Sequence, residues 1–430
     1  MASMPRSLAQ NLSLAAALAL VPALACGQPA PVAPVAPAAP PPATAAATAA
    51  APDAPVDFSE QVKALYRLVT CTDDALPAGL DAKTVAAYCA REKRSIDVAR
   101  KHAAEAGPFI GALRPADLPT TVVYPFGGGD LVTALTVYPD AKDVTTMSLE
   151  HAGDPRRLPE LTDKKALAES LELIRYTSSG LLHANDSKTE NLMKGQRGDL
   201  PGQLAFFMLG LAVHGYEPVS LRFFWINPDG TLHYVTQADI AAVEKENAKL
   251  LRAAWTAPDF SRAFSNSEVV FVKKGGDPKE TRLHRHIAFD LSDGGLKKNP
   301  GLLTWLEAKG PVAAMTKAAS YLLWNDAFST IRAYLLRHMV FMVSDSTGVP
   351  PRLAKAAGFT QETWGRFAGS FLPASEAINE DFRKLWGQFP KNRLKFRFGY
   401  IDSAAQYHML VTRKAAPAAP AAGPEATPKP

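Results

Sequence analysis

Hydrophobic residues recur along this chain at two spacings, and the alternation between them predicts a body with both helices and strands. Val62, Leu65 and Val69 line one face at helical spacing, with Asp57 and Glu60 ahead of them as a capping pair. A longer helix over 81–105 completes an N-terminal hairpin. Residues 120–126 are β-branched and aromatic and read as a strand. They run into Gly127-Gly128-Gly129-Asp130, a short helix over 131–138 stopped by Pro139, and a second strand over 144–149 that ends at Glu150. Strand, glycine loop, helix and strand form one βαβ unit, which implies two parallel strands.

Further on, helices are predicted over 163–176 and 200–215, the second an uncharged run that reads as buried, not membrane-spanning. Two antiparallel ribbons follow: 219–226 with 231–235, turning at Asn227-Pro228-Asp229-Gly230, and 268–274 with 281–291, turning at Gly275-Gly276-Asp277-Pro278. A helix over 236–254 separates them. Helices over 301–309, 311–324 and 327–337 lead to an apolar strand, 339–343, that opens into Ser344-Asp345-Ser346-Thr347-Gly348. A helix over 378–386 and a terminal hairpin, 394–400 with 407–412, close the body. The predicted class is α/β: a mixed, partly parallel sheet with β-ribbon insertions and an N-terminal helical hairpin. A sheet closed by a final antiparallel pair is similar to the methyltransferase-like variant of the Rossmann arrangement, an analogy of fold that carries no activity.

The two ends of the chain change the picture from fold to address. Arg6 precedes an uncharged, apolar stretch that exits through Ala23-Leu24-Ala25 to Cys26, the pattern of an export signal. Cleavage before Cys26 would leave it acylated as the first residue of a lipoprotein, and ordinary signal cleavage would release a soluble protein. Residues 27–56 are an Ala/Pro tether too poor in large apolar side chains to pack, and 414–430 repeat that composition. The expected organisation is therefore a signal over 1–25, a tether over 26–56, the hairpin over 57–115, the α/β domain over 116–413 and a disordered tail over 414–430. The expected location is the cell envelope, periplasmic or outer-membrane associated, with the membrane as partner through Cys26. Of three cysteines, Cys71 and Cys89 then remain as an even pair, and an oxidising compartment would join them across the turn between the first two helices. Two buried free thiols are the alternative. A net charge of +5 over 430 residues, without a basic stripe, argues against nucleic acid as a partner.

Four places carry candidate chemistry. Gly127, Gly128 and Gly129 at a strand-to-helix junction, with Glu150 closing the next strand, have the layout that cradles a nucleotide-like or anionic ligand. Asp130 would repel phosphate but serve as a helix cap, and a tight turn without a ligand is the alternative. Asp345 and Ser346 leave the end of a predicted central strand and are the candidate catalytic residues, with Thr347 as a hydrogen-bond partner; an Asp/Ser turn is the alternative. His284 and His286 lie two apart on a strand with Asp290, a start to a metal site that lacks an assignable third ligand; otherwise they form a solvent-facing polar stripe. Lys317, Ser320 and Tyr321 sit at helical spacing and would present a polar face to the same cleft or simply solvate a helix. No Gly-x-Ser-x-Gly, Ser-x-x-Lys, His-Glu-x-x-His or Cys-x-x-Cys motif occurs, and no motif names a cofactor.

The segments 122–130 (VVYPFGGGD), 148–150 (SLE), 317–323 (KAASYLL) and 344–351 (SDSTGVPP) together resemble a group of exported bacterial proteins, lipoproteins among them, that have no established activity. The resemblance spans about 120–412 and implies no catalytic residues. Three readings follow. The first is an envelope lipoprotein whose α/β body binds a small ligand or partner. The second is an enzyme, transferase- or hydrolase-like, with a cleft between the 127–130 and 344–348 loops. The third is a structural envelope protein. An address beyond the cytoplasm argues against chemistry that draws on soluble nucleotide cofactor.

Overall fold

The computed structural model describes residues 54–72, 79–184, 199–247, 262–317, 319–367, 376–399 and 407–415. The predicted signal, Cys26, most of the tether and the tail from 416 lie outside the described residues.

The hairpin forms as the spacing predicts. Helix α1 (Ser59–Thr70) buries Val62, Leu65 and Val69. Asp57 accepts from Ser59 N at 2.9 Å and Glu60 pairs with Lys63 at 3.0 Å, so the capping pair read from the sequence is not made. Helix α2 (Ala82–Gly111) starts at Asp81, whose carboxylate accepts from Thr84 N at 2.8 Å. Cys71 ends α1 in the left-handed conformation, and its Cα comes 5.4 Å from that of Cys89, to which it is disulfide-bonded. The staple closes a short loop and stabilises the hairpin chiefly by restricting the unfolded chain.

The βαβ unit follows as β1 (Thr121–Pro125), α3 (Leu131–Val137) and β2 (Asp143–Ser148), with Thr121 beside Asp143 in a parallel ladder. Next come α4 (Lys164–Ala184), α5 (Gly202–Val213), β3 (Tyr216–Ile226), β4 (Leu232–Tyr234), α6 (Gln237–Asn247), β5 (Asn266–Lys273) and β6 (Arg282–Ala288). Both predicted ribbons pair antiparallel, β3 with β4 and β5 with β6. The rest of the chain supplies α7 (Asp293–Lys298), α8 (Gly301–Glu307), β7 (Val312–Thr316), α9 (Ser329–His338), β8 (Met339–Ser344), α10 (Pro351–Ala356), β9 (Phe359–Gly365), α11 (Glu376–Gly387) and β10 (His408–Lys414).

The ten strands form one mixed sheet in the order β4-β3-β5-β6-β2-β1-β7-β8-β10-β9. Its centre, β6-β2-β1-β7-β8, is wholly parallel, and β10 runs antiparallel between β8 and β9. This is the Rossmann-like, methyltransferase-like arrangement, widened by the β3, β4 and β5 ribbons. Successive strands are added on one side of β1 and then on the other, which puts the topological switch between β1 and β7.

Alternate side chains of the parallel strands enter two cores. Val122, Tyr124, Ala313 and Met315 pack under α1 to α5, while Val123, Val312 and Ala314 pack against α8 and α9. Every residue of α5 is buried. Among the described residues, no helix is long and apolar enough to cross a membrane.

Two sequence expectations are corrected. Residues 311–324 are not a helix: 312–316 form the fully buried central strand β7, followed by a single-turn 3-10 helix, Ser320–Trp324. A short, wholly apolar run reads the same way for a buried strand and a buried helix. The terminal hairpin is replaced by a different pairing. β10 lies between β8 and β9, and the segment at 394–399 forms no ladder with it, meeting its start at the isolated bridge of Phe398 with Tyr407. The strand β9, FTQETWG, carries too little apolar alternation to stand out. The predicted helix over 236–254 is described only to Asn247.

Candidate functional site

The strands β1, β2, β7 and β8 all end at the same edge of the sheet, and the sequence-selected residues gather there. At the switch point Asp130 caps α3 through Thr133 N at 3.2 Å, as its position predicts. The same carboxylate accepts from Thr133 Oγ1 at 2.6 Å and Tyr124 Oη at 2.9 Å. Lys317, immediately past β7, completes the cluster with Nζ 2.5 Å from Asp130 Oδ2 and 2.9 Å from Thr133 Oγ1. Both charged side chains are wholly buried. Lys317 therefore does not belong to a solvated helix face; it leaves a strand and neutralises the carboxylate that caps the facing helix. His102 on α2 lies within the field of this pair. Burial first, and then the Lys317 charge, push its imidazole down to about 4, with Asp130 opposing.

The glycine loop above this cluster is filled by the chain itself. A Cβ on Gly129 would stand 2.6 Å from Gln203 Oε1 and 2.9 Å from Phe206, and one on Gly127 would strike the Tyr124 ring at 2.7 Å. Gly128 takes a positive φ of 50°, and Phe126 one of 62°, with its ring against Phe328 at 5.6 Å. The glycines serve close packing of α5 over the β1–α3 turn.

Asp345 sits past the end of β8, wholly buried, and Ser320 Oγ donates to its Oδ1. Thr347 donates to the same oxygen from its backbone at 2.9 Å and its hydroxyl at 3.1 Å. Burial raises the Asp345 carboxyl above the usual range, opposed by the charge of His408 from β10. Gly399, at a φ of 87°, lets the chain pass directly over the His408 ring. Ser346 does not join this group through its hydroxyl. Its Oγ has no partner among the described residues, and its carbonyl accepts from Trp386 Nε1 at 3.2 Å. The serine at Asp345 is Ser320. Tyr321 stands at the outer margin, half-buried against a small apolar cluster that includes Trp324 and Phe382, and burial raises its phenol.

Beside β2, His284 and His286 are wholly buried, not a solvent-facing stripe, because β6 lies inside the sheet with α5 over it. Thr146 Oγ1 bridges His284 Nε2 at 3.0 Å and His286 Nδ1 at 3.1 Å, and the Phe207 ring covers both. His286 Nε2 meets the Glu150 carbonyl at 2.6 Å. Asp290 is exposed beyond the strand end and accepts from Ser292 N, so it does not reach the pair. Among the described residues no group of three His, Cys, Asp or Glu is placed to hold a metal. Glu150 itself is 2% exposed, and both its carboxylate oxygens lack a partner among the described residues, as do both amide atoms of Gln203.

An open concavity lies further along the same edge. A cleft of about 440 Å³ is bounded by the ends of β3 and β6 and the start of β5, with Trp225, Ile226, Ile287 and Phe289 among its walls. His151, one residue past Glu150, lines it with Nδ1 3.0 Å from Ser265 Oγ. Burial, and then the charges of His286 and Arg262, push this imidazole down to about 3, which keeps it neutral. Asn266 fixes the floor: its amide donates to Phe224 O at 3.1 Å and accepts from Ala288 N at 2.9 Å, tying β3 to β6. Trp225 is held by its indole N–H to Arg262 O at 3.4 Å and by stacking on His233.

The structure thus brings Asp130 and Lys317 together, and Asp345 with Thr347, but buries them. Sequence reasoning did not select Tyr124, Thr133, His102 or His408, nor the cleft residues Trp225, Arg262 and Asn266. Only Gln203 left a signal, as a lone polar side chain in an otherwise apolar run. No protein-family model, curated protein or solved structure matches this chain.

Proposed function

We propose that this chain is an exported cell-envelope lipoprotein, anchored through Cys26, whose α/β body binds a small ligand without transforming it. One contrast at the C-terminal edge of the sheet carries the reading. The place where an open α/β sheet ordinarily holds a nucleotide is packed by Gln203, Phe206 and the Asp130–Lys317 pair, whereas a cleft with room for a small molecule stays open beside it. Glu150, next in sequence to the cleft residue His151, keeps both carboxylate oxygens without a partner among the described residues and would supply acceptors to a ligand or its waters. The export signal, the tether and the resemblance to exported bacterial proteins support the address, and the Cys71–Cys89 bond suits an oxidising compartment.

The enzyme reading is favoured by one observation. Asp345, with its carboxyl raised by burial and His408 close by, ends a central parallel strand, and such perturbed groups gather at active sites.

Protein extracted from its native envelope and examined by native mass spectrometry should carry a bound small molecule, retained by the Asp345→Asn variant. Turnover of that molecule by the natural chain, abolished in Asp345→Asn, would replace binding with catalysis. The absence of any adduct would favour a structural role. Labelling with a fatty acid should mark the natural chain and not Cys26→Ala; equal labelling of both would remove the anchor.

A further inference from the structure

Two charged side chains line the cleft between β3, β5 and β6. Arg262 and Glu246 both line it, and among the described residues neither takes part in an ion pair. Their neighbours do: Glu244, two residues before Glu246 on α6, is 2.6 Å from Arg156. The charge of Arg262 lies near enough to His151, which also lines the cleft, to help push its imidazole down. Apolar side chains share the lining with them, Ile226, Val243, Ile287 and Phe289 with the Trp225 ring, beside the polar Ser265 and Asn299. The floor is rigid, because Asn266 spends its amide on the backbones of β3 and β6.

We propose that this cleft binds a zwitterionic ligand, an amino acid or short peptide with a bulky apolar side chain, its carboxylate toward Arg262 and its ammonium toward Glu246. This rests on the binding reading above and adds the ligand's class. A carboxylate satisfies a guanidinium with paired hydrogen bonds, and an ammonium satisfies a carboxylate. The apolar side chain removes the Trp225 and Phe289 surfaces from water. A volume of about 440 Å³ exceeds what one small residue would fill and suits a dipeptide.

Isothermal titration of the full chain with the dipeptide leucyl-phenylalanine, its C-terminal amide and its N-acetyl form tests the assignment. The free dipeptide should bind, and blocking either end should weaken binding about tenfold. In Arg262→Gln the free and amidated dipeptides should bind alike, and in Glu246→Gln the free and acetylated ones should. Both variants are surface changes, and their circular dichroism should match that of the natural chain. Binding that ignores both blocked ends overturns the assignment, as does no binding of any of the three. Glucose and inorganic phosphate are titrated in parallel. Binding of either one in place of the dipeptide overturns the ligand class and leaves the binding reading standing. Release of free phenylalanine from the dipeptide would instead remove the claim of binding without reaction, while the cleft and its ligand class survive.

Discussion

Lys317 and Asp130 form a wholly buried ion pair, with Nζ 2.5 Å from the carboxylate, joining the end of β7 to the first turn of α3. Tyr124 and Thr133 supply further hydrogen bonds to the same carboxylate. An ion pair in this setting stabilises little against an apolar replacement of both partners, but losing one partner strands the other charge. Here that strain would fall on the topological switch of the sheet.

Lys317→Met should therefore lower the unfolding free energy by about 3–5 kcal/mol. The double variant Lys317→Met with Asp130→Asn should recover a good part of it, because no uncompensated charge stays buried. Urea denaturation of both single variants and the double variant gives the coupling directly. Strictly additive losses would mean that the two groups act independently.

The disulfide yields a second prediction. Replacing Cys71 and Cys89 by serine should cost about 3 kcal/mol on the loop-closure estimate, felt mainly as easier unfolding of α1 and the start of α2. Guanidinium melts of the natural and double-serine chains measure it. Alkylation without reductant should find neither cysteine reactive; two labelled thiols in the folded protein would contradict the bond.

Much of the fold was written in local pattern, and the failures have physical causes. The strand β1, the glycine turn and β2 were legible because β-branched residues, three glycines and a proline stop mark them without tertiary help. β7 was not, since Val312 to Thr316 is covered on both faces and shows no period of two; its place between β1 and β8 decides its conformation. The same holds for the site. Asp130 was legible as a cap because capping is local. Its partner Lys317 stands 187 residues away, a relation that only the sheet order creates. His284 and His286 looked like an outward stripe because alternation alone does not say that a helix lies over the sheet. The cleft residues Trp225 and Arg262 belong to separate segments, so no spacing in the sequence could join them.

Acidity gives the last prediction through Glu92, buried on α2 and facing α4, where Ser178 Oγ donates to its Oε1 at 2.8 Å. Burial raises its carboxyl to about 7, opposed by the Ser178 hydrogen bond and by Arg175. A folded-state pKa above the unfolded value of 4.5 means that the native chain holds the proton more tightly. The stabilising share of Glu92 is thus complete below about pH 4.5 and is lost as pH rises through 7, by about 3 kcal/mol in all. Buried histidines act in the opposite sense. His102 and His214 are pushed down to about 4 and His151 to about 3, so they favour the native state at neutral pH and withdraw that support below 6.5. Comparing Glu92→Gln with the natural chain cancels their contribution. The variant should gain relative stability between about pH 4.5 and pH 7 and level off above that in urea melts, with Tyr88 and Arg175 unchanged beside it. Parallel stability curves for the two chains over that range would show that Glu92 is already ionised in the folded protein.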